Sequence, residues 1–413
     1  MGTTVDFTAR FVKAHHPPEH ESLIALYSNG VSLELHRRKT RLPVYSVIDG
    51  NGYIVRTMQS WLRHLTSQVG LGISPNTLIQ YGRRLTYLAR WIEREGPYPN
   101  LSIDQVVAVI TRGDLTAWLT YMGEHGAESL TTLHSREACV RQFLDWLSTF
   151  EGGRVRSEDD SPWRGHDGGR YVTRVPSPNS PKYIATELIV LLFRGFHNEC
   201  ERCMFHTQYD MGLRIEELTQ LTLKDLPNVK HYNAACEFIP VSLMGNKGRA
   251  GRAKQRLTIV SRAVLRRIAR YHSSLEYQLA DGWGINDPDK PWFLTTNGKP
   301  CALRNASKQF KAAVRRQGLS DDFSTHWMRH GTAFSVLRSD MGKTLEERFL
   351  ALQQILGHAN LTTTQIYTQI SPALLVNLTE HGREIDRLAE AEDIRKQTFL
   401  GQNQHRERRG HRA

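Results

Sequence analysis

The segment Ile355-Leu-Gly-His-Ala-Asn-Leu-Thr-Thr-Thr-Gln-Ile-Tyr367 joins a Leu-Gly-His turn to a run of threonines and to a tyrosine nine residues after the histidine. Threonine favours the first positions of helices, so we expect a helix to begin after His358 and to deliver Tyr367. A tyrosine considered by itself is more commonly part of a core or an interface. The meaning of this segment therefore depends on two others that precede it.

Two upstream segments carry arginine and histidine at helical spacing. In Ser324-Thr-His-Trp-Met-Arg-His-Gly331, His326 and Arg329 are three residues apart, so a helix places both on one face. In Met211-Gly-Leu-Arg-Ile-Glu-Glu-Leu218, Glu217 follows Arg214 by three residues and is placed to hold its guanidinium group. Taken alone, that second pattern favours an ordinary helical ion pair.

Together the three segments supply the groups that metal-free phosphoryl transfer needs. Arg214 and Arg329 are suited to neutralise the oxygens of a phosphodiester, and His326 and His358 add hydrogen-bond donors. Tyr367 supplies a nucleophile that forms a covalent phosphoester. Because a free tyrosine has a pKa of about 10, it needs such a cationic pocket to attack at neutral pH.

The order Arg214, His326-x-x-Arg329, Leu356-Gly357-His358 and Tyr367 resembles the tyrosine recombinase, or phage integrase, family. The resemblance covers residues 183–375 well. It extends more loosely over residues 74–150, which are similar to the helical core-DNA-binding domain of the family through Thr77-Leu78, Tyr81 and Phe143-Leu-Asp-Trp146. Two departures, Trp327-Met328 for the commoner Asp-Leu and Gln369 for a frequent histidine, touch no catalytic position.

The resemblance also implies a lysine on a β-hairpin that protonates the leaving 5′ oxygen. Lys247, in Met244-Gly-Asn-Lys-Gly-Arg249, follows a predicted strand and is the best match. The turn is longer than is usual in the family. Lys254, just before the next strand, therefore remains an alternative.

Composition places the chain among soluble globular proteins and makes a polyanion the first partner to test. Its 413 residues exceed one usual core and indicate about two or three domains. The 54 Lys and Arg against 42 Asp and Glu leave a net charge of +12, which is consistent with nucleic acid as a partner and equally with a generic basic enzyme. The absence of a long apolar stretch or a signal peptide, together with only five cysteines, indicates a cytoplasmic protein with no membrane segment and no disulfide framework.

The predicted fold is mainly α with a small β-sheet (α+β). Residues 1–72 form an appended module with strands at 31–35, 43–48 and 53–55, the last two joined by the turn Asp49-Gly-Asn-Gly52. The other expected divisions are a helical core-DNA-binding domain (73–150), a Gly- and Pro-rich linker (151–182), a catalytic domain (183–390) with strands near 236–243 and 256–260, and a basic C-terminal tail (391–413). By resemblance, the two domains form a C-shaped clamp on DNA.

The spacing His197-x2-Cys200-x2-Cys203-x2-His206 offers four residues of the zinc-ligand type. On one helix, however, ligands three residues apart fan across about half the circumference and cannot close a tetrahedron. We therefore interpret this segment as a structural helix, and we expect neither a metal nor a cofactor.

The sequence thus predicts a site-specific tyrosine recombinase that cuts and rejoins double-stranded DNA through a 3′-phosphotyrosyl intermediate. The resemblance implies a homo-tetramer on two recombination sites, and the appended module favours integration, excision or transposition of a mobile element. An accessory protein is left unspecified. The alternatives are a type IB topoisomerase-like enzyme and a catalytically silent DNA-binding protein on the same scaffold.

Overall fold

The computed structural model describes residues 8–14, 44–67, 73–126, 129–165, 170–176, 181–245, 254–339, 341–358, 361–368 and 386–401. These residues divide into two compact units, the first ending at residue 176 and the second beginning at residue 181. Helices predominate in both units, and each unit contains a two-stranded antiparallel sheet. The predicted mainly α class with a small β component is confirmed. No helix in the described part of the chain has the length and apolar character needed to cross a bilayer.

The first unit is a helical bundle with a small sheet on it. Its elements are β1 (Arg10–Ala14), β2 (Val44–Ile48), α1 (Arg56–Ser67), α2 (Pro75–Glu95), α3 (Ile103–Val109), α4 (Arg112–Gly126) and α5 (Leu130–Leu147). The Ser74 side chain accepts from Thr77 N at the start of α2, and Pro75 occupies the first turn. Trp61, Trp118 and Phe143 are buried at the centre of the unit.

The sheet of the first unit differs in part from the prediction. The turn at Asp49-Gly-Asn-Gly52 forms, with Gly52 N donating to the Asp49 carbonyl at 3.1 Å. Beyond it, however, the predicted strand at 53–55 contributes a single bridge between Ile48 and Ile54. The full partner of β2 is β1, which pairs along its length from Arg10 opposite Ile48 to Ala14 opposite Val44. The strand predicted at 31–35 lies outside the described residues.

Part of the segment predicted as a linker packs on the first unit. Trp163 is buried, and its indole Nε1 donates to Glu137 Oε1 on α5 at 2.9 Å. The backbone N–H of Thr173 donates to the other carboxylate oxygen of Glu137 at 2.8 Å. Trp163 and Thr173, which lie in the segment predicted as a linker, are therefore packed on the first unit.

The second unit surrounds a larger core and carries every candidate site residue that falls within the described ranges. Its elements are α6 (Thr186–Arg194), α7 (Glu199–Met211), α8 (Ile215–Leu218), β3 (Phe238–Gly245), β4 (Lys254–Ser261), α9 (Arg262–His272), α10 (Leu275–Gln278), α11 (Leu303–Arg316), α12 (Thr325–Arg338), α13 (Leu345–Leu356), α14 (Leu361–Gln365) and α15 (Arg387–Thr398), with 3₁₀ turns at Leu223–Asp225, Val229–His231 and Ile366–Thr368. β3 and β4 pair antiparallel from Phe238 opposite Ser261 to Gly245 opposite Lys254.

The histidine–cysteine segment lies where the sequence predicts, with three of its four residues on helix α7. Cys203 and His206 are fully buried, and Cys200 Sγ lies 3.1 Å from the Leu294 carbonyl oxygen. His206 Nδ1 lies 3.3 Å from Arg267 Nη1. Over the described ranges, no group of three or more histidines, cysteines and carboxylates is arranged to hold a metal ion.

The boundary predicted at residue 390 falls inside helix α15. Ile394 and Thr398 of this helix are buried, and Arg202 Nη1 donates to the Thr398 carbonyl at 2.9 Å. Glu390, near the start of the helix, accepts from Tyr209 Oη at 3.0 Å. Residues 391–400 therefore belong to the second unit, and the remaining basic segment, 402–413, lies outside the described residues.

Candidate active site

Arg214 is fixed at the point where α7 gives way to the short helix α8. Gly212 ends α7 in the left-handed conformation (φ 63°), which glycine adopts without a steric penalty. Glu217 Oε2 accepts from Arg214 N at 2.8 Å, and Glu217 Oε1 accepts from Arg214 Nη1 at 2.9 Å. The Glu217 side chain is 1% exposed and the Arg214 side chain 21%. The guanidinium group of Arg214 is thus held by the buried Glu217 carboxylate and remains partly exposed.

Arg256 on β4 shares the same carboxylate. Its Nη2 lies 2.7 Å from Glu217 Oε2 and its Nε 3.2 Å from Oε1, while Nη1 donates to the Ile355 carbonyl at 2.5 Å. Burial alone raises the pKa of Glu217, but the hydrogen bonds and charges of Arg256 and Arg214 outweigh it and lower the pKa below its ordinary value. Sequence reasoning treated Arg214 and Glu217 as a pair and missed Arg256.

Arg329 on α12 joins the two turns that carry Arg214 and His358. Its side chain is buried; Nη1 donates to the Gly212 carbonyl at 2.6 Å, and Nη2 donates to the Leu356 carbonyl. Burial, followed by the positive charges of Arg214 and Arg256, lowers the pKa of Arg329 to about 9. Arg329 therefore remains charged at neutral pH and lies beside two other cations.

His358 follows the left-handed Gly357 (φ 61°) that ends α13. A Cβ at Gly357 would lie 2.5 Å from Arg256 Cδ, so the turn packs directly on that arginine. His358 Nδ1 lies 2.9 Å from Thr364 Oγ1, on the short helix that follows the histidine. Burial, with the charges of Arg329, Arg214 and Arg256, lowers the pKa of His358 to about 3. The imidazole is therefore neutral.

Tyr367 lies in the 3₁₀ turn after α14 and is 5% exposed. Its ring packs edge-on against Phe334, with the two centroids 5.7 Å apart. Its hydroxyl oxygen lies 3.0 Å from Nδ1 of His330, a residue of α12 that is not among the predicted site residues. Burial raises the pKa of Tyr367 to about 12, although the charges of Arg329 and Arg214 act in the opposite direction.

Fewer contacts define the positions of the remaining predicted site residues, His326 and the two candidate lysines. The ring of His326 lies 4.7 Å from the ring of His330, one turn further along α12, and His326 is close enough to contribute to the lowered pKa of His358. Lys247 lies outside the described residues. Lys254, the alternative, is the first residue of β4, opposite Gly245.

The structure therefore brings five of the six predicted residues into one site: Arg214, His326, Arg329, His358 and Tyr367. The Glu217 carboxylate binds the guanidinium groups of Arg214 and Arg256, and the charge of Arg329 lies close enough to interact with all three groups, so the site carries surplus positive charge and favours an anion. A phenol beside that charge is a nucleophile suited to a phosphodiester. The signal for Arg256 was its place in the basic stretch that runs into the start of β4, and the signal for His330 was its spacing of four residues from His326.

Comparisons with known proteins agree with this geometry. Residues 191–373 match the model of the phage integrase family. The chain is 27% identical over 325 residues to tyrosine recombinase XerC of Serratia marcescens, covering 78% of this chain and 92% of that protein. It is 28% identical over 319 residues to XerC of Yersinia pestis, covering 76% and 89%.

Solved structures share the fold at low sequence identity. The Tn1549 transposon integrase in complex with a circular intermediate DNA is 19% identical with a TM-score of 0.54, covering 78% of this chain and 98% of that one. The XerH site-specific recombinase bound to a palindromic difH substrate is 16% identical with a TM-score of 0.52, covering 74% and 80%. These likenesses establish the fold.

Proposed function

Because the chain belongs to the tyrosine recombinase (phage integrase) family, and so to a family of DNA strand-transferring enzymes, we propose that it is a site-specific recombinase acting on double-stranded DNA. The observation that carries this proposal is the meeting of Arg214, Arg329, His358 and Tyr367 in one cationic site. In this proposal Tyr367 attacks the scissile phosphate, forming a 3′-phosphotyrosyl bond and releasing a 5′ hydroxyl.

The other residues have distinct roles in the proposed reaction. Arg214 and Arg329 bind the non-bridging oxygens as charge grows on them, and His326 and His358 donate hydrogen bonds. Lys247 protonates the leaving oxygen, with Lys254 as the alternative. The bond energy is kept in the phosphotyrosine, so a 5′ hydroxyl from a partner duplex reverses the step without ATP or metal.

The test of this function is covalent adduct formation. Duplexes selected from a random-sequence pool by the Tyr367→Phe variant supply the binding site, and a nick beside the cut traps the cleaved strand. The wild-type protein should form an SDS-resistant adduct in EDTA, whereas Tyr367→Phe should bind the same DNA and form none. An adduct in Tyr367→Phe, or none in the wild type, would refute the assignment.

Two further measurements separate the alternatives. A recombinase exchanges strands between two duplexes that carry the site, whereas a type IB topoisomerase only relaxes a supercoiled plasmid, and a silent DNA-binding protein does neither. For the lysine, a 5′-phosphorothiolate leaving group needs no proton, so it should restore cleavage by Lys247→Ala. Rescue of Lys254→Ala in its place would reverse our choice.

We further propose that four copies assemble on two sites and that the enzyme moves a mobile element. The support for the second point is the extra N-terminal region of residues 1–72, which includes the β1–β2 sheet. The mobile-element proposal is tested by amplifying, from cells that carry the gene, the DNA junction that forms when the element is excised as a circle. A junction that depends on Tyr367 is expected, and a junction that persists in Tyr367→Phe cells would contradict it.

A further inference from the structure

A hydrogen bond connects the candidate nucleophile to a histidine that has no role in the proposed reaction. Tyr367 Oη and His330 Nδ1 are 3.0 Å apart, and the two rings meet edge to face with centroids separated by 5.6 Å. His330 follows Arg329 directly on α12. The helix that delivers a phosphate-binding arginine therefore also positions an imidazole on the attacking oxygen.

Burial, more than the surrounding charges, sets the protonation of this pair. Burial, followed by His326 and Arg329, lowers the pKa of His330 to about 4, while burial raises that of Tyr367 to about 12. At neutral pH the imidazole is neutral and the phenol is protonated. The phenol therefore donates to Nδ1 when His330 carries its own proton on Nε2. The titratable and charged groups facing the pair are His326, Arg329 and Arg214.

We propose that His330 is the general base of the cleavage step, accepting the proton of Tyr367 as the tyrosine attacks the scissile phosphate. The inference rests on the function proposed above. The Oη–H bond breaks and its proton passes to His330 Nδ1, the Oη–P bond forms, and the P–O5′ bond breaks as the leaving oxygen gains a proton from the hairpin lysine. In the reverse step His330 returns its proton to Tyr367 as the phosphotyrosyl bond is broken.

Substrate binding brings the basicity of His330 closer to what the role requires. In the resting site the imidazole is weakly basic because it is buried beside His326 and Arg329. A phosphodiester bound by Arg329 and Arg214 places one negative charge near the same groups, and a nearby negative charge raises the pKa of an imidazole. His330 thus gains basicity when the phosphate is in place for attack.

Two substitutions at His330 separate proton transfer from positioning. His330→Asn puts an amide oxygen near the place of Nδ1, where it accepts a hydrogen bond but does not take the proton. Adduct formation on the nicked duplex should fall about 100-fold near pH 7. The wild-type rate should be nearly constant between about pH 6 and 9, whereas the variant rate should rise by about tenfold per pH unit, because hydroxide must remove the proton.

His330→Ala provides an independent measurement. Added imidazole should restore its adduct formation in a concentration-dependent way, which a purely structural role would not produce. His231→Asn, at an exposed histidine of the same unit, is the matched control and should behave as wild type. Thermal unfolding and DNA binding of each variant verify that the fold is kept.

The outcomes are distinguishable from failure of the proposed function. If the wild type forms a Tyr367-dependent adduct, a His330→Asn rate within about threefold of wild type overturns the role of His330. A slower His330→Asn with a flat pH profile, together with no rescue of His330→Ala by imidazole, also overturns it. If the wild type forms no adduct, the proposed function fails first and the role of His330 fails with it.

Discussion

Replacing Glu217 by glutamine should destabilise the second unit and slow cleavage together. Each carboxylate oxygen accepts two donors: Oε1 from Arg214 Nη1 and Arg256 Nε, and Oε2 from Arg214 N and Arg256 Nη2. Whichever way the glutamine amide turns, its NH₂ group faces two donors. Two charge-assisted hydrogen bonds are therefore lost, and two guanidinium groups are left without a counter-charge.

The expected magnitude follows from these contacts. A hydrogen bond to a charged group contributes about 1.5–3 kcal/mol, and breaking a buried ion pair costs about 3–5 kcal/mol. We expect the free energy of unfolding to fall by about 3 kcal/mol and Tm by roughly 6–12 °C for a unit of this size. Adduct formation should fall by about 100-fold, since displacement of a positioning group by about 1 Å has that effect.

Urea unfolding and adduct formation on the nicked duplex measure the two effects. Glu216→Gln, at the exposed neighbouring residue of α8, is the matched control and should change neither. Because the pKa of Glu217 is lowered from 4.5, its contribution is present above that pH and is lost as the pH falls through the lowered value. A Glu217→Gln variant within about 1 kcal/mol of wild type near pH 7 would refute the shared-carboxylate interpretation.

Three further substitutions test separate features. Gly357→Ala should lower the free energy of unfolding by about 1–3 kcal/mol and slow cleavage, because the new Cβ would clash with Arg256 and the backbone is left-handed (φ 61°). Urea unfolding that matches wild type would contradict this. Glu137→Gln should lower the free energy of unfolding of the first unit by about 2–4 kcal/mol, because the carboxylate accepts hydrogen bonds from Trp163 Nε1 and Thr173 N. Trp163 fluorescence and an unfolding midpoint that match wild type would contradict this. Tyr367→Phe should lower the free energy of unfolding by only about 1 kcal/mol, because only the hydrogen bond to His330 is lost. A much larger loss of stability would show that the ring is misplaced.

Local signals in the sequence predicted most of the helices because their determinants are close along the chain. Ser74, an N-cap residue followed by a proline, begins α2, and Ser102 with Gln105 forms a capping box at the start of α3. The β1–β2 pairing could not be predicted in this way. Its two strands are separated by 29 residues, from 15 to 43, so their register depends on packing against α2 and not on a turn.

The site was predictable where chemistry is tied to short motifs and unpredictable where it depends on packing between elements. The spacing of His326 and Arg329, and of His358 and Tyr367, is local. The partnership of Arg256 with Glu217 joins residues 39 apart, and that of His330 with Tyr367 joins residues 37 apart. The sequence contains 54 Lys and Arg, and nothing adjacent to Arg256 in the sequence indicates that it pairs with Glu217.

The electrostatics of the resting site explain why an anionic ligand belongs in it. Arg214, Arg256 and Arg329 bring three positive charges, and Glu217 returns one negative charge, so the site holds a surplus of two. The lowered pKa of Arg329 and of His358 has burial as its first cause and the crowding of these cations as its second, which means that the folded protein holds this charge at a cost in free energy. A phosphodiester removes part of that repulsion when it binds, and the charge that develops on its oxygens during attack removes more. In the proposed reaction, the same cations that repel one another in the folded protein are therefore the groups that stabilise the transition state.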